Sequence, residues 1–236
     1  MFYYGFDLTY LIMVMPFVIL SIWASSNVNS TFKRYSKVYS RRGLTGAQAA
    51  EQVLKNNGVY NVRIERVSGN LTDHFDPKAN VIRLSDNVYG NTSAAAIGVA
   101  CHEAGHAVQY AQDYAPIKLR AAIIPVTNIG SMLAMPLIVL GLVLNFMTDF
   151  SYTFVYIGIG CFGLSLLFQL ITLPVEFNAS HRAVSAISGA GLLDEQELVG
   201  AKKTLRAAAL TYVAAAAVSL MQLLRLILIF GGRRDD

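Results

Sequence analysis

Four long apolar runs constrain this chain more than any other feature. They cover about Leu8 to Ala24, Ala121 to Leu144, Tyr152 to Leu173 and Tyr212 to Phe230. A helix that crosses a bilayer needs about 20 apolar residues, within a range of about 17–25. Only helices and closed barrels satisfy every backbone polar group in lipid. Runs of this length predict a mainly α membrane protein with three to four transmembrane helices. Overall composition agrees, with 54% hydrophobic and 14% charged residues, against about 25% charged in a soluble domain. The second run holds Pro125, Asn128 and Pro136. The fourth holds Gln222 and Arg225, an intramembrane charge or a side chain that snorkels to the surface.

The basic residues flank these runs. Lys33, Arg34, Lys37, Arg41 and Arg42 follow the first, Lys118 and Arg120 precede the second, and Arg182, Lys202, Lys203 and Arg206 follow the third. The loop from Asn145 to Ser151 has neither Lys nor Arg. By the positive-inside rule the N-terminus lies outside, the segments after runs one and three are cytoplasmic, and a membrane hairpin joins them. The tail, Gly231 to Asp236, carries Arg233 and Arg234 and fits this pattern less well, which suggests a re-entrant or amphipathic fourth run. The net charge of +4 reads as orientation and lipid signal, not as a nucleic-acid surface. The first run is no cleavable signal peptide, because its positive cluster follows the apolar stretch.

The expected organisation is residues 1–24 as the first transmembrane helix, 25–116 as a cytoplasmic region, 117–173 as the hairpin, 174–210 as a cytoplasmic helical segment, and 211–236 as a fourth apolar helix with its tail. Within the cytoplasmic region Thr45 and Gln48 form a capping box, and Ser93 caps a helix running to about Gln112. Val62, Ile64 and Arg66 alternate as a strand, and Val81 to Leu84 is a second strand candidate. Its position suggests an edge strand that takes an extended peptide by β-addition. Asp194 with Glu197 begins a later helix, and Pro174 is read as a first-turn residue of a new helix.

The helix after Ser93 carries His102-Glu103-Ala104-Gly105-His106. This matches H-E-x-x-H: two imidazoles four residues apart share one helix face and can hold one Zn²⁺, while Glu103 can accept a proton from water at the metal. A catalytic zinc has three protein ligands. Cys101 points about 100° aside on the helix and reads as a packing residue. The other candidates are His74, His181, Glu176, Asp194, Glu195 and Glu197. Glu176 is favoured, because the hairpin starts just after the histidine helix and returns the chain to it there. Gly158-Ile159-Gly160-Cys161-Phe162-Gly163 matches G-x-G-x-x-G but lies within an apolar run, so helix packing is expected rather than a nucleotide. Cys101 and Cys161 offer no disulfide framework.

The string Ile97 to Gln109, the hairpin, and Pro174-Val175-Glu176-Phe177-Asn178-Ala179-Ser180 together resemble the YugP-like bacterial membrane zinc metallopeptidases. The segments Asp73 to Pro77, Val81 to Ser85 and Gly231 to Asp236 share the likeness. A more distant similarity is to HtpX-type and CAAX prenyl proteases, which have an aspartate where Ser180 stands here. The resemblance implies a gluzincin-like site with His102, His106 and Glu176 on zinc and Glu103 as base. With the charge pattern above, the expectation is a multi-pass peptidase of the bacterial plasma membrane, its site on the cytoplasmic side, acting on a peptide or membrane-protein substrate. The rival readings are a membrane scaffold or metal-handling protein that retains the site without turnover, and a site-2-type intramembrane protease. The latter supplies an aspartate ligand from a later span, and runs two to four contain none.

Overall fold

In lipid a helix has no competing backbone arrangement, so local helix breakers lose much of their force. The computed structural model, which describes residues 2–3, 6–144 and 151–231, bears this out. In chain order its elements are β1 (Phe2–Tyr3), β2 (Phe6–Asp7), a π-helical turn (Tyr10–Val14) that continues into α1 (Met15–Tyr35), α2 (Gly46–Asn56), β3 (Arg63–Val67), β4 (His74–Asp76), β5 (Val81–Ser85), the single turn α3 (Asp86–Tyr89), α4 (Ala94–Ala111), α5 (Ala115–Leu144), α6 (Ser151–Gly189) and α7 (Glu195–Gly231). Among the described residues four helices are long and apolar enough to cross a membrane: Tyr10–Tyr35, α5, α6 and α7. The protein is a mainly α membrane protein with a small β element.

All four helices extend beyond their apolar runs. The first continues to Tyr35, with Lys33 and Arg34 in its last turn, where cations suit the helix dipole. Pro125 and Pro136 lie inside α5, and Pro174 lies inside α6. Pro174 therefore does not open a new helix. The third apolar run and the segment bearing Glu176 are one continuous helix, at the cost of one backbone hydrogen bond. The fourth run is likewise the end of the unbroken α7. The expected outer loop, at residues 145–150, and the tail, at residues 232–236, lie outside the described residues.

The chain forms two compact units. The first comprises Met1–Trp23, Leu119–Leu173 and Tyr212–Asp236. Ile138, Val155, Leu226 and Phe230 cluster within it. A Cβ on Gly158 would sit 2.8 Å from the Ala134 carbonyl, whereas Gly160 and Gly163 face open space. Close packing thus accounts for Gly158 alone. Arg225 finds a partner here: its guanidinium pairs with Asp7, donates from Nε to Thr9 Oγ1 at 3.3 Å, and lies 5.4 Å from the Tyr10 ring centre.

The second unit comprises Ala24–Lys118 and Pro174–Thr211. The Thr45–Gln48 capping box starts α2, and the Ser93 hydroxyl accepts from Ala96 N to start α4. The sheet order is β3-β5-β4, with β3 parallel and β4 antiparallel to β5. This corrects the edge-strand expectation. Val81–Ser85 is the central strand, its ladder groups taken by neighbours on both sides. Ile82 and Leu84 are fully buried with Ala49, Val53, Ile97, Ala100, Cys101 and Ile187 in one core.

Candidate metal centre

The helix α4 reads AAAIGVACHEAGHAVQYA, and its alanines and glycines let neighbours approach on almost every side. The tightest approach is at Gly105, where a Cβ would lie 2.8 Å from the Ala179 carbonyl. This glycine therefore sets how close α6 comes to the two histidines. On α6, Glu176 and Ser180 are four residues apart and share the face that Ala179 presents to α4.

The result is a convergence of three ligand-type side chains. His102 Nε2 lies 3.3 Å from Glu176 Oε2, and His106 Nε2 lies 3.6 Å from the same oxygen. The imidazole rings meet edge-on, centres 4.6 Å apart. One ligand atom from each residue lies within 4.8 Å of the others, the one such group among the described residues. Tetrahedral Zn²⁺ with N and O ligands at about 2.0–2.1 Å holds those atoms about 3.3–3.5 Å apart. The donor types and the two separations from Glu176 therefore fit zinc. His106 and Glu176 are 8% and 2% exposed, and Glu103, next to His102 on α4, is 8% exposed.

A second layer of contacts orients both rings. The Ser180 hydroxyl lies 3.1 Å from His102 Nδ1. His106 Nδ1 lies 3.0 Å from Gln109 Oε1. Gln109 Nε2 donates to Val175 O and to Asn178 Oδ1, each at 2.9 Å. Arg182 donates to Asn178 Oδ1 at 2.7 Å and to Gln112 Oε1 at 2.6 Å. Sequence reasoning gave Gln109 no role. The signal was a polar residue three positions after His106, on the same face of a helix otherwise almost all apolar.

Burial disfavours a charged His106, but the Glu176 hydrogen bond, the nearby carboxylates of Glu103 and Glu176, and the Gln109 bond outweigh it and raise its pKa. Burial alone pushes the Cys101 thiol up, which suits an inert packing residue.

The remaining candidate ligands lie elsewhere. His74 opens β4. It is exposed, with Nδ1 2.8 Å from Thr72 O. His181 is exposed and outside the cluster. Asp194 and Glu197 cap α7 reciprocally, at 2.8 and 2.9 Å, and Glu197 also accepts from Arg41 N. Glu195 is exposed in the first turn of α7.

Comparison with known proteins adds a family. The model of the family described as "Putative neutral zinc metallopeptidase" matches residues 10–231. The "Putative membrane protease YugP" of Bacillus subtilis (strain 168) is 48% identical over 217 residues, covering 92% of this chain and 94% of that protein. No solved structure matches the chain.

Proposed function

The chain belongs to the "Putative neutral zinc metallopeptidase" family, and from that premise we propose that it is a membrane-embedded zinc endopeptidase that hydrolyses peptide bonds at the cytoplasmic face of the bacterial plasma membrane. The observation that carries this reading is the meeting of His102, His106 and Glu176 within 4.8 Å, with Glu103 one residue from His102. His102, His106 and Glu176 would hold the ion. Zinc, when bound, supplies a Lewis acid that polarises a carbonyl and makes water acidic near neutral pH.

The remaining work falls to the protein. Glu103 takes the proton from the attacking water and delivers it to the leaving amine nitrogen as the peptide bond breaks. Its burial beside the histidines keeps the carboxylate close to the reacting atoms. A purely structural metal site has no use for such a base. Ser180 and Gln109 hold the two rings, so the nucleophile is aimed by a preformed arrangement. The substrate is a peptide or a membrane protein. The cytoplasmic assignment rests on the basic clusters at Lys33–Arg42 and at Lys202, Lys203 and Arg206.

The test is zinc content of the detergent-purified protein with a peptide-cleavage assay. Wild type should carry about one zinc per chain. Glu176→Ala should lose it. Glu103→Gln should keep zinc and lose cleavage. Full zinc retention by Glu176→Ala would reject the third ligand, and a wild type without zinc would favour the non-catalytic scaffold.

A further inference from the structure

The hydrogen-bond chain behind His106 contains two groups whose roles do not depend on any assigned proton. The Val175 carbonyl can only accept, and the Arg182 guanidinium can only donate. Arg182 Nε meets Asn178 at 2.7 Å, so the Asn178 atom there is the amide oxygen. One end of the Gln109 amide faces both that oxygen and Val175 O, each at 2.9 Å. That end is therefore the NH₂ group, and its two hydrogens are both committed. The other end is Oε1, which lies 3.0 Å from His106 Nδ1 and can only accept. Nδ1 must then carry a proton, so that in the neutral ring the lone pair is on Nε2, the atom that faces Glu176. Gln109 is fully buried, so water offers no alternative partner.

His102 differs. Its Nδ1 meets the Ser180 hydroxyl at 3.1 Å, and a hydroxyl donates or accepts with equal ease. Nothing in that contact selects a tautomer. Resting on the zinc reading above for its consequence, we infer that Gln109, held by Val175 O and by Arg182 through Asn178, is a positioning residue that locks His106 in the Nδ1–H tautomer and so presets one metal-binding lone pair before any metal arrives. His102 has no such lock at its Nδ1. The lock also ties the two helices of the centre together. Val175, whose carbonyl anchors Gln109, is the residue just before Glu176.

The chain has only four histidines, so ¹⁵N-histidine labelling of the full detergent-purified protein gives a resolvable long-range ¹⁵N–¹H spectrum at pH 8. Metal-free wild type should show a single His106 tautomer, protonated at Nδ1, and zinc should leave it unchanged. Gln109→Leu should release the tautomer and weaken zinc affinity by about 10- to 100-fold, as loss of a partner behind a metal ligand does. Ser180→Ala should cost less than tenfold. Gln109→Glu keeps an acceptor and should restore the Nδ1–H signal, although it no longer donates to Val175 O. An Nε2–H tautomer in wild type would overturn the lock, as would a Gln109→Leu protein with unchanged tautomer and zinc affinity. The wild-type spectrum decides the tautomer even if Gln109→Leu fails to fold. A wild type that shows the tautomer but binds no zinc would reject the peptidase reading and leave the lock standing.

Discussion

Among the described residues each unit shelters a constellation of ionisable groups, Arg225 with Asp7 in one and His102, His106 and Glu176 in the other, and the two are built to opposite rules. In the first unit the Arg225 guanidinium meets the Asp7 carboxylate, with Thr9 and the Tyr10 ring beside it. Cation faces anion and donor faces acceptor, so the pair is complete. In the second unit two imidazole nitrogens and a carboxylate oxygen point at one another, all three able to donate lone pairs. The Nδ1 atoms of the two rings are already engaged by Ser180 and Gln109. Such a group is incomplete without a cation. Burial of charge in a protein is therefore not by itself a mark of function. What distinguishes the two is whether the group is neutralised by its own members.

The largest effect separating them should be catalytic. Glu103→Gln removes the proton carrier and leaves the three converging atoms in place, so cleavage should drop by about 10²–10⁴-fold with zinc content unchanged. A measured turnover within a few fold of wild type would show that Glu103 is not the base. The pair in the first unit should respond through stability instead. Its side chains are 14% and 21% exposed, and removing one member of such a pair strands the other, at a cost of about 3–5 kcal/mol. Arg225→Met and Asp7→Asn should each lower the unfolding free energy toward that size. The double replacement should recover most of it, since no unpaired charge remains. Equal losses in single and double variants would mean the pair is not self-contained.

The sequence placed much of this because the signals were local. The caps at Thr45, Ser93 and Asp194 each involve neighbours three residues apart, and all three form. The histidine pair lies within one helical turn, and Glu176 followed from the return of the hairpin. The features missed depend on partners far along the chain. Asp7 meets Arg225 across 218 residues, and Gln109 meets Val175 across 66. Strand β4 has three residues, too few for alternation to declare it, so β5 passed for an edge. Pro174 misled for a different reason: proline suits a helix's first turn but does not exclude an interior position, and α6 carries it there.

A smaller effect should come from packing at the centre. A methyl group at Gly105 must displace the Ala179 carbonyl, 2.8 Å from the built Cβ. Overpacking of this kind costs about 1–3 kcal/mol, and it moves α6, so Gly105→Ala should weaken zinc binding as well as stability. Gly160→Ala, in open space within the first unit, serves as the silent control. Equal zinc affinity for Gly105→Ala and wild type would show that α6 can yield without moving Glu176.

The smallest effect is a pH dependence that changes sign with the metal. His106 holds its proton more tightly folded than unfolded when metal is absent. Its protonation therefore stabilises the metal-free fold fully below about pH 6.5, the ordinary imidazole value, and that contribution fades as pH rises through the higher folded value. Zinc requires the neutral ring, so in the loaded protein protons compete with the metal and acidification removes stability over the same window. Thermal midpoints of chelator-treated and zinc-loaded protein, measured from pH 6 to 8, should thus slope in opposite directions. Parallel slopes would mean that His106 does not meet the ion. His106→Gln removes the titrating ring, and its metal-free slope should flatten.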